Sequence, residues 1–93
     1  MKNFIVVVYD IKDDNTRNRV CNILKNYGTH VQLSVFECVL DASQYQRMKR
    51  SIERLIDVDE DLVRFYKLCE SCRKKCELLG EGEFTEDSDI YIV

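Results

Sequence analysis

The stretch Phe4-Ile5-Val6-Val7-Val8-Tyr9-Asp10 decides the fold of this chain. Its six consecutive apolar residues are typical of a strand that is covered on both faces, and the run stops on a carboxylate. Because packing holds such a strand firmly, its last side chain is fixed in place while it still reaches water. Asp10 is therefore a candidate metal ligand, and the alternative role is turn formation or capping of the next helix.

Length and composition indicate one globular domain over residues 1–93. The 93 residues are 45% hydrophobic and 33% charged, as in an ordinary soluble protein. A domain of this size buries only about 60 to 65% of its unfolded surface, which favours dimerisation. The first apolar run is too short for a membrane span and lacks a signal-peptide cleavage site. We expect a cytoplasmic protein without membrane association, whose five cysteines are reduced.

The net charge of −3 is distributed unevenly along the chain. Residues 1–54 hold nine Lys and Arg against six Asp and Glu, whereas residues 55–93 hold five against eleven. An acidic protein is a mild argument against nucleic-acid binding, since phosphate-binding domains usually carry a basic surplus. The basic first half nevertheless permits a basic face.

Three elements are predicted in the first half of the chain. The first strand spans about residues 2–9, and a helix follows that begins at the capping residues 13–15 and stops at Gly28 in a left-handed conformation. The β-forming run of residues 31–40 slips in phase near Val35, which indicates a bulge or a strand covered on both sides.

The second half continues the alternation. A capping box of Ser43 and Gln46 predicts another amphipathic helix, whose outward face is basic. Strands are predicted at about residues 61–69, 77–79 and 89–93, with a polar turn or short helix at residues 71–75.

We interpret this alternation of strands and helices as an α+β domain of ferredoxin-like type, with the order β-α-β-β-α-β and an additional C-terminal strand. Its antiparallel sheet carries both helices on one face. The other face is then bare, and the first strand is apolar on both sides. We therefore expect a homodimer in which the bare faces meet and residues 89–93 pair with the partner's sheet edge.

Several other side chains, in addition to Asp10, are candidate functional residues. Arg17 and Arg19 lie about 200° apart on the helical wheel, so they cannot face one ligand in the same way, and both could simply be solvated. His30 is the only histidine and is expected in a loop, with phosphate contacts as its candidate role. Three cysteines have a C-x2-C-x3-C spacing that suits zinc but also follows a helical face without a fourth ligand nearby: Cys69, Cys72 and Cys76.

The chain resembles the CRISPR-associated protein 2 family, the small core subunit of the spacer-acquisition machinery. The resemblance rests on Val-Val-Tyr-Asp-Ile at residues 7–11, Asp-Asp-Asn-Thr-Arg-Asn-Arg-Val at residues 13–20, and Gly-Thr-His-Val-Gln-Leu-Ser-Val-Phe-Glu at residues 28–37. It covers nearly the whole chain. His30 departs from the arginine usual in the family, and the pair Cys69 and Cys72 matches a family loop, which favours a structural role for these thiols.

The resemblance implies a ferredoxin-like homodimer with Asp10 of each subunit at the interface, where the pair binds Mg²⁺ or Mn²⁺. It implies catalytic roles for Asp10 and Tyr9 and nucleic-acid contacts for Arg17, Arg19, His30, Ser34 and Phe36. Two functions follow from it. One is a metal-dependent endonuclease on single-stranded RNA or duplex DNA. The other is a non-catalytic, DNA-binding scaffold that docks the CRISPR integrase subunit.

Overall fold

A computed structural model describes residues 1–87, and the strand predicted at residues 89–93 lies outside the described residues. The described elements, in chain order, are the strand β1 (Asn3–Asp10), the helix α1 (Asp14–Lys25), the strands β2 (Gly28–Gln32) and β3 (Val35–Leu40), the helix α2 (Ala42–Glu53), the strand β4 (Leu62–Leu68) and the short helix α3 (Glu70–Lys74).

The four strands form one antiparallel sheet in the order β2-β3-β1-β4. The apolar strand β1 is central: it pairs with β3 along one side and with β4 along the other. The predicted α+β class and the β-α-β-β-α-β order are thereby confirmed. The strand β1, which is apolar on both faces, takes one of the two inner positions of the sheet, where it has a neighbour on each side.

The helices α1 and α2 cover one face of the sheet, and a single core lies between them. Alternate β1 residues point into this core, since successive side chains of a strand lie on opposite faces. The core contains Ile5, Val7, Tyr9, Ile11, Val20, Leu24, Tyr27, Phe36, Cys38, Leu40, Met48 and Ile52. The opposite face, which we call the open face, carries the other β1 side chains, among them the half-buried Val6 and Val8.

The predicted run of residues 31–40 is wrong as a single strand. It divides into the end of β2 and the whole of β3, joined by a turn at Leu33 and Ser34, with an irregular register between His30 and Gln32. The phase slip near Val35 therefore marks a hairpin turn. The turn could not be recognised from the sequence, because Leu33 is apolar and is not a typical turn residue.

Gly28 does not end the helix α1 in a left-handed conformation, as predicted. Its φ is not positive, and it is the first residue of β2. A Cβ atom here would lie 2.3 Å from the carbonyl oxygen of Glu37 and 2.5 Å from the sulfur of Cys38. Glycine is needed because the two strands approach closely.

Three further local predictions are wrong. His30, expected in a loop, is the third residue of the strand β2. The capping box of α2 is formed by Asp41 and Gln44, two residues before the predicted pair of Ser43 and Gln46. The segment 77–79 is irregular and forms no strand in the described part of the chain. The helix start was misplaced because Asp and Ser are both good capping residues, and only the backbone geometry chooses between them.

Candidate functional site

Asp10 is the last residue of the inner strand β1, where it pairs with Leu62 of β4. Its side chain is exposed, and it shares the open face with Val6 and Val8 because these residues alternate along the strand. The contacts described for residues 1–87 include no hydrogen bond or ion pair to its carboxylate. A buried strand thus presents one available carboxylate to solvent.

Tyr9 points to the opposite face from Asp10 and is only 3% exposed. Its hydroxyl donates a hydrogen bond of 3.2 Å to the carbonyl oxygen of Leu33. Burial, reinforced by the neighbouring thiol of Cys21, raises the pKa of Tyr9 to about 12, although the nearby charge of Arg17 opposes this shift. The phenol is therefore neutral at physiological pH, and its hydroxyl stabilises the hairpin turn through the hydrogen bond to Leu33.

His30 and Phe36 form an aromatic stack beside Tyr9. The His30 and Phe36 rings are parallel within 2° at a centroid distance of 4.4 Å, and the Phe36 ring lies 6.4 Å from that of Tyr9. The imidazole Nε2 is 3.0 Å from the Leu33 carbonyl oxygen. Since a carbonyl only accepts, Nε2 carries the proton in this contact. His30 is exposed, whereas Phe36 is fully buried.

The turn at Leu33 and Ser34 is anchored to β1 by its backbone. The carbonyl of Leu33 receives hydrogen bonds from both Tyr9 and His30, and the carbonyl of Ser34 accepts one of 3.1 Å from the backbone N–H of Tyr9. Sequence reasoning missed Leu33, and no side-chain signal could have found it, because its contribution is made by a backbone oxygen. Tyr9, His30 and Phe36 are thus brought together with the Ser34 backbone near the end of β1, whereas the Asp10 side chain lies on the opposite face of the sheet.

The two arginines occupy different places, as their angular separation predicts. The Arg17 guanidinium donates 3.0 Å to the Ile11 carbonyl, just beyond Asp10, and pairs with the Asp14 carboxylate. Arg19 instead lines the groove between α1 and α2 together with Arg54. The structure places Arg17 beside the end of β1 and Arg19 on the helical face of the domain.

One chain supplies an incomplete metal site. Within residues 1–87, no three His, Cys, Asp or Glu side chains are grouped so that they could hold an ion, and this includes Cys69, Cys72 and Cys76. Magnesium is nevertheless bound in many proteins by one or two carboxylates, several waters and a substrate phosphate. The exposed Asp10 carboxylate fits this donor set if a second subunit or a phosphate provides the rest. No helix of the described residues has the length and apolar character to span a membrane.

Comparison with known families gives one full-length similarity. A family model described as CRISPR associated protein Cas2 matches residues 2–76. A CRISPR-associated endoribonuclease Cas2 of Chloroflexus aurantiacus is 41% identical over 92 residues, which cover 97% of this chain and 99% of that protein. A CRISPR-associated endonuclease Cas2 of Thermus thermophilus is 38% identical over 92 residues, with 99% and 98% covered.

Solved structures show the same similarity. A hypothetical protein of Thermus thermophilus superposes with a TM-score of 0.79 at 41% identity, covering 92% of this chain and 100% of that one. Cas2 of Streptococcus pyogenes gives 0.71 at 29% identity, with 83% and 99% covered. A chain of a partial Cas6-RT-Cas1–Cas2 complex gives 0.71 at 26% identity, with 83% and 90% covered.

Proposed function

Because this chain belongs to the CRISPR-associated protein Cas2 family, we propose that it is a metal-dependent endonuclease of CRISPR adaptation, acting as a homodimer on RNA or duplex DNA. The observation that carries the proposal is the exposed Asp10 carboxylate at the end of a buried strand. Relatives of 38 to 41% identity are named endoribonuclease or endonuclease, which supports phosphodiester hydrolysis and leaves both substrate classes in the proposal.

Asp10 and its symmetry mate would hold one Mg²⁺ or Mn²⁺ in this proposal. When bound, such an ion lowers the pKa of a coordinated water and neutralises charge on a scissile phosphate. The chain's own contribution is rigidity, because β1 is hydrogen-bonded on both sides and its helix face is buried. A carboxylate held in this way loses little conformational freedom when it binds.

The surroundings of Asp10 have distinct roles. Arg17 is oriented by the carbonyl of Ile11, the residue after Asp10, and would attract a phosphate near the end of β1. His30 and Ser34 lie on the hairpin side and would contact the backbone of a nucleic acid. Tyr9 and Phe36 are buried, so we assign them a structural role: their packing supports His30 and the hairpin turn. A catalytic role for Tyr9 and direct contact by Phe36 would both require these side chains to become exposed.

The homodimer is supported by the open face. It carries the half-buried Val6 and Val8 of β1, and the neighbouring strand β4 adds Leu62, 48% exposed, and Tyr66, 47% exposed. An apolar sheet face of this kind is stabilised by burial against a second copy. If the two-fold axis passes near the ends of the β1 strands, the two Asp10 carboxylates meet at it.

A scaffold function is the second candidate, and a specific surface favours it. Arg19 and Arg54 line one groove between α1 and α2, and α2 adds the basic residues Arg47, Lys49 and Arg50. Such a face attracts a duplex backbone without any chemistry. One structural relative is part of a Cas6-RT-Cas1–Cas2 complex, which supports an integrase subunit as the partner of this chain.

A cleavage assay with Asp10→Asn tests the enzyme proposal. We expect cleavage of RNA or duplex DNA in Mg²⁺ or Mn²⁺ to fall about 100-fold or more, since even residues that only orient a metal ligand cost 10- to 100-fold. Asp87→Asn is the matched control: Asp87 pairs with Lys2 at the other end of the sheet, so this substitution should leave cleavage unchanged. Full activity of Asp10→Asn would refute the enzyme proposal.

Binding measurements separate the scaffold function from the enzyme. Asp10→Asn should bind duplex DNA as the unaltered protein does, whereas Arg19→Ala combined with Arg54→Ala should weaken binding and reduce its salt dependence. A protein that binds duplex DNA through the two arginines but cleaves nothing with either metal is a scaffold. Unchanged duplex binding by the double variant would show that the groove lined by Arg19 and Arg54 is not the DNA-binding surface.

A further inference from the structure

Two exposed thiols lie in one turn where β4 passes into α3. Cys69 immediately precedes α3, and Cys72 follows three residues later within it. The backbone N–H of Arg73 donates 2.9 Å to the carbonyl of Cys69, so the two cysteines belong to the same helical turn. Residues three apart within a helix have Cβ atoms about 5 to 6 Å apart, whereas a disulfide needs about 3.5 to 4.5 Å, so bond formation requires a small backbone movement at Cys69, the extended residue that precedes α3.

The sulfur of Cys69 has polar partners. It is 3.2 Å from the hydroxyl oxygen of Ser71, and the thiol of Cys72 follows in the same helical turn. These groups can donate to a thiolate at Cys69, while Cys72 keeps its proton. The C-x-x-C spacing therefore places an attacking sulfur and a protonated resolving thiol side by side.

We propose that Cys69 and Cys72 form a thiol–disulfide exchange site, in which Cys69 attacks a low-molecular-weight disulfide and Cys72 resolves the product. In the first step the Cys69 thiolate forms a mixed disulfide and expels one small thiolate. In the second step Cys72 loses its proton, attacks the Cys69 sulfur and expels the second small thiolate. The protein is oxidised by two electrons, and the small disulfide is reduced to two thiols.

The acid–base properties of the two thiols agree with these roles. The Ser71 hydroxyl, followed by the amide and thiol of Cys72, lowers the pKa of the Cys69 thiol to about 7. The partly anionic Cys69 in turn raises the pKa of Cys72. A thiol whose pKa lies near the ambient pH is the most effective attacking group in exchange.

Cys76 is the alternative partner of Cys72, and its contacts argue against it. Its thiol donates to the carbonyl oxygen of Cys72 at 3.6 Å, so it is engaged by the backbone and not by a sulfur. It also lies beyond the end of α3, after the last helical residue Lys74. The exchange site therefore consists of Cys69 and Cys72 alone.

The exchange site is independent of the site around Asp10. Leu68, next to Cys69, pairs with Phe4, whereas Leu62 pairs with Asp10, so the two sites are separated by six residues of β4. At about 3.3 Å per residue this separation is roughly 20 Å. The thiol chemistry can consequently be present or absent whichever function Asp10 has.

Incubation of the full chain with oxidised glutathione tests the proposal, with peptide mass spectrometry as the readout. The unaltered protein should lose two hydrogens by forming a Cys69–Cys72 disulfide. Cys72→Ser should stop at a single glutathione adduct on Cys69, Cys69→Ser should form neither product, and Cys76→Ser should behave as the unaltered protein does. A Cys72–Cys76 disulfide, or a Cys72→Ser protein without an adduct at Cys69, would overturn the assignment.

The pH dependence of alkylation provides a second readout that does not need a disulfide. In the Cys72→Ser protein, the rate at which iodoacetamide modifies Cys69 should rise with a midpoint near pH 7, because only thiolates react. A midpoint at the ordinary thiol value of about 8.5 would contradict an activated Cys69.

Discussion

The region that contains the sheet and its two covering helices, residues 3–68, differs from the C-terminal segment, residues 69–87, in how each is held. Every residue of the buried core belongs to the first region, between Phe4 and Ile52. The C-terminal segment contributes none. It is attached by surface contacts: Arg73 lies between the rings of Phe4 and Phe84, at 5.0 and 3.9 Å from their centroids, and Thr85 donates to Glu37.

Cysteine shows the chemical consequence of this difference. In the sheet, burial raises the pKa of Cys38 to about 12 and makes the thiol a small apolar core group. In the C-terminal segment, exposed polar partners lower the pKa of Cys69 to about 7. The same side chain is thus inert in one region and nucleophilic in the other, so environment and not residue type decides its chemistry.

The largest effect should come from truncating a core aromatic residue. Phe36→Ala removes a fully buried ring that stacks on His30 and lies beside Tyr9, and it should lower the free energy of unfolding by about 3 to 5 kcal/mol. Phe84→Ala removes only a surface ring contact with Phe4 and Arg73, worth about 1 to 2 kcal/mol. Urea unfolding at one fixed protein concentration measures both values. Similar losses would show that the C-terminal segment is as integral as the sheet.

Two glycines provide the next test. Gly28→Ala forces a Cβ against the Glu37 carbonyl and the Cys38 sulfur and should cost about 1 to 3 kcal/mol. Gly80 has a φ of +98° but no atom within 4 Å of an added Cβ, so Gly80→Ala should cost about 1 kcal/mol, from backbone strain alone. Thermal unfolding of the two variants compares them. A Gly80→Ala protein that is less stable than Gly28→Ala would reverse the proposed ranking.

The smallest effect concerns the buried phenol of Tyr9. Tyr9→Phe removes its hydrogen bond to the Leu33 carbonyl, which keeps the contact with His30, and should cost about 1 kcal/mol at neutral pH. Because burial raises the Tyr9 pKa from 10.0 to about 12, its stabilising contribution is complete below pH 10 and is lost as the pH rises towards 12.

Urea unfolding between pH 9 and 12 therefore measures this titration. Tyr9→Phe should show a shallower decline of stability with pH than the unaltered protein, and the residual decline includes the titration of Cys38. Tyr66→Phe is the matched control: Tyr66 is half exposed, and its hydroxyl accepts a hydrogen bond from Arg64. Identical declines in all three proteins would mean that the Tyr9 environment does not resist ionisation.

Much of the fold could be predicted from local pattern. The apolar run predicted the strand β1, and the capping residues 13–15 predicted the start of α1. The hairpin turn at Leu33 and Ser34 was missed because neither residue departs clearly from a β pattern. The α2 cap was misplaced by two residues because several capping residues stand in a row.

The candidate site was predictable in its members but not in its arrangement. The resemblance to a known family brought Tyr9, Arg17, His30, Ser34 and Phe36 to attention together with Asp10. Their spatial relation depends on strand pairing, which joins residues far apart in the chain. Only the structure shows that Tyr9 and His30 share the Leu33 carbonyl as their partner.

The sequence by itself determined the α+β class, the central position of β1 and the identity of Asp10 as a carboxylate at its end, because these follow from hydrophobic period and from chain order. Only the tertiary structure decided that Tyr9 and Phe36 are buried on the helix-covered face, and that Gly28 is required by a close approach of two strands. These properties arise from the packing of distant segments, and no local pattern encodes such packing.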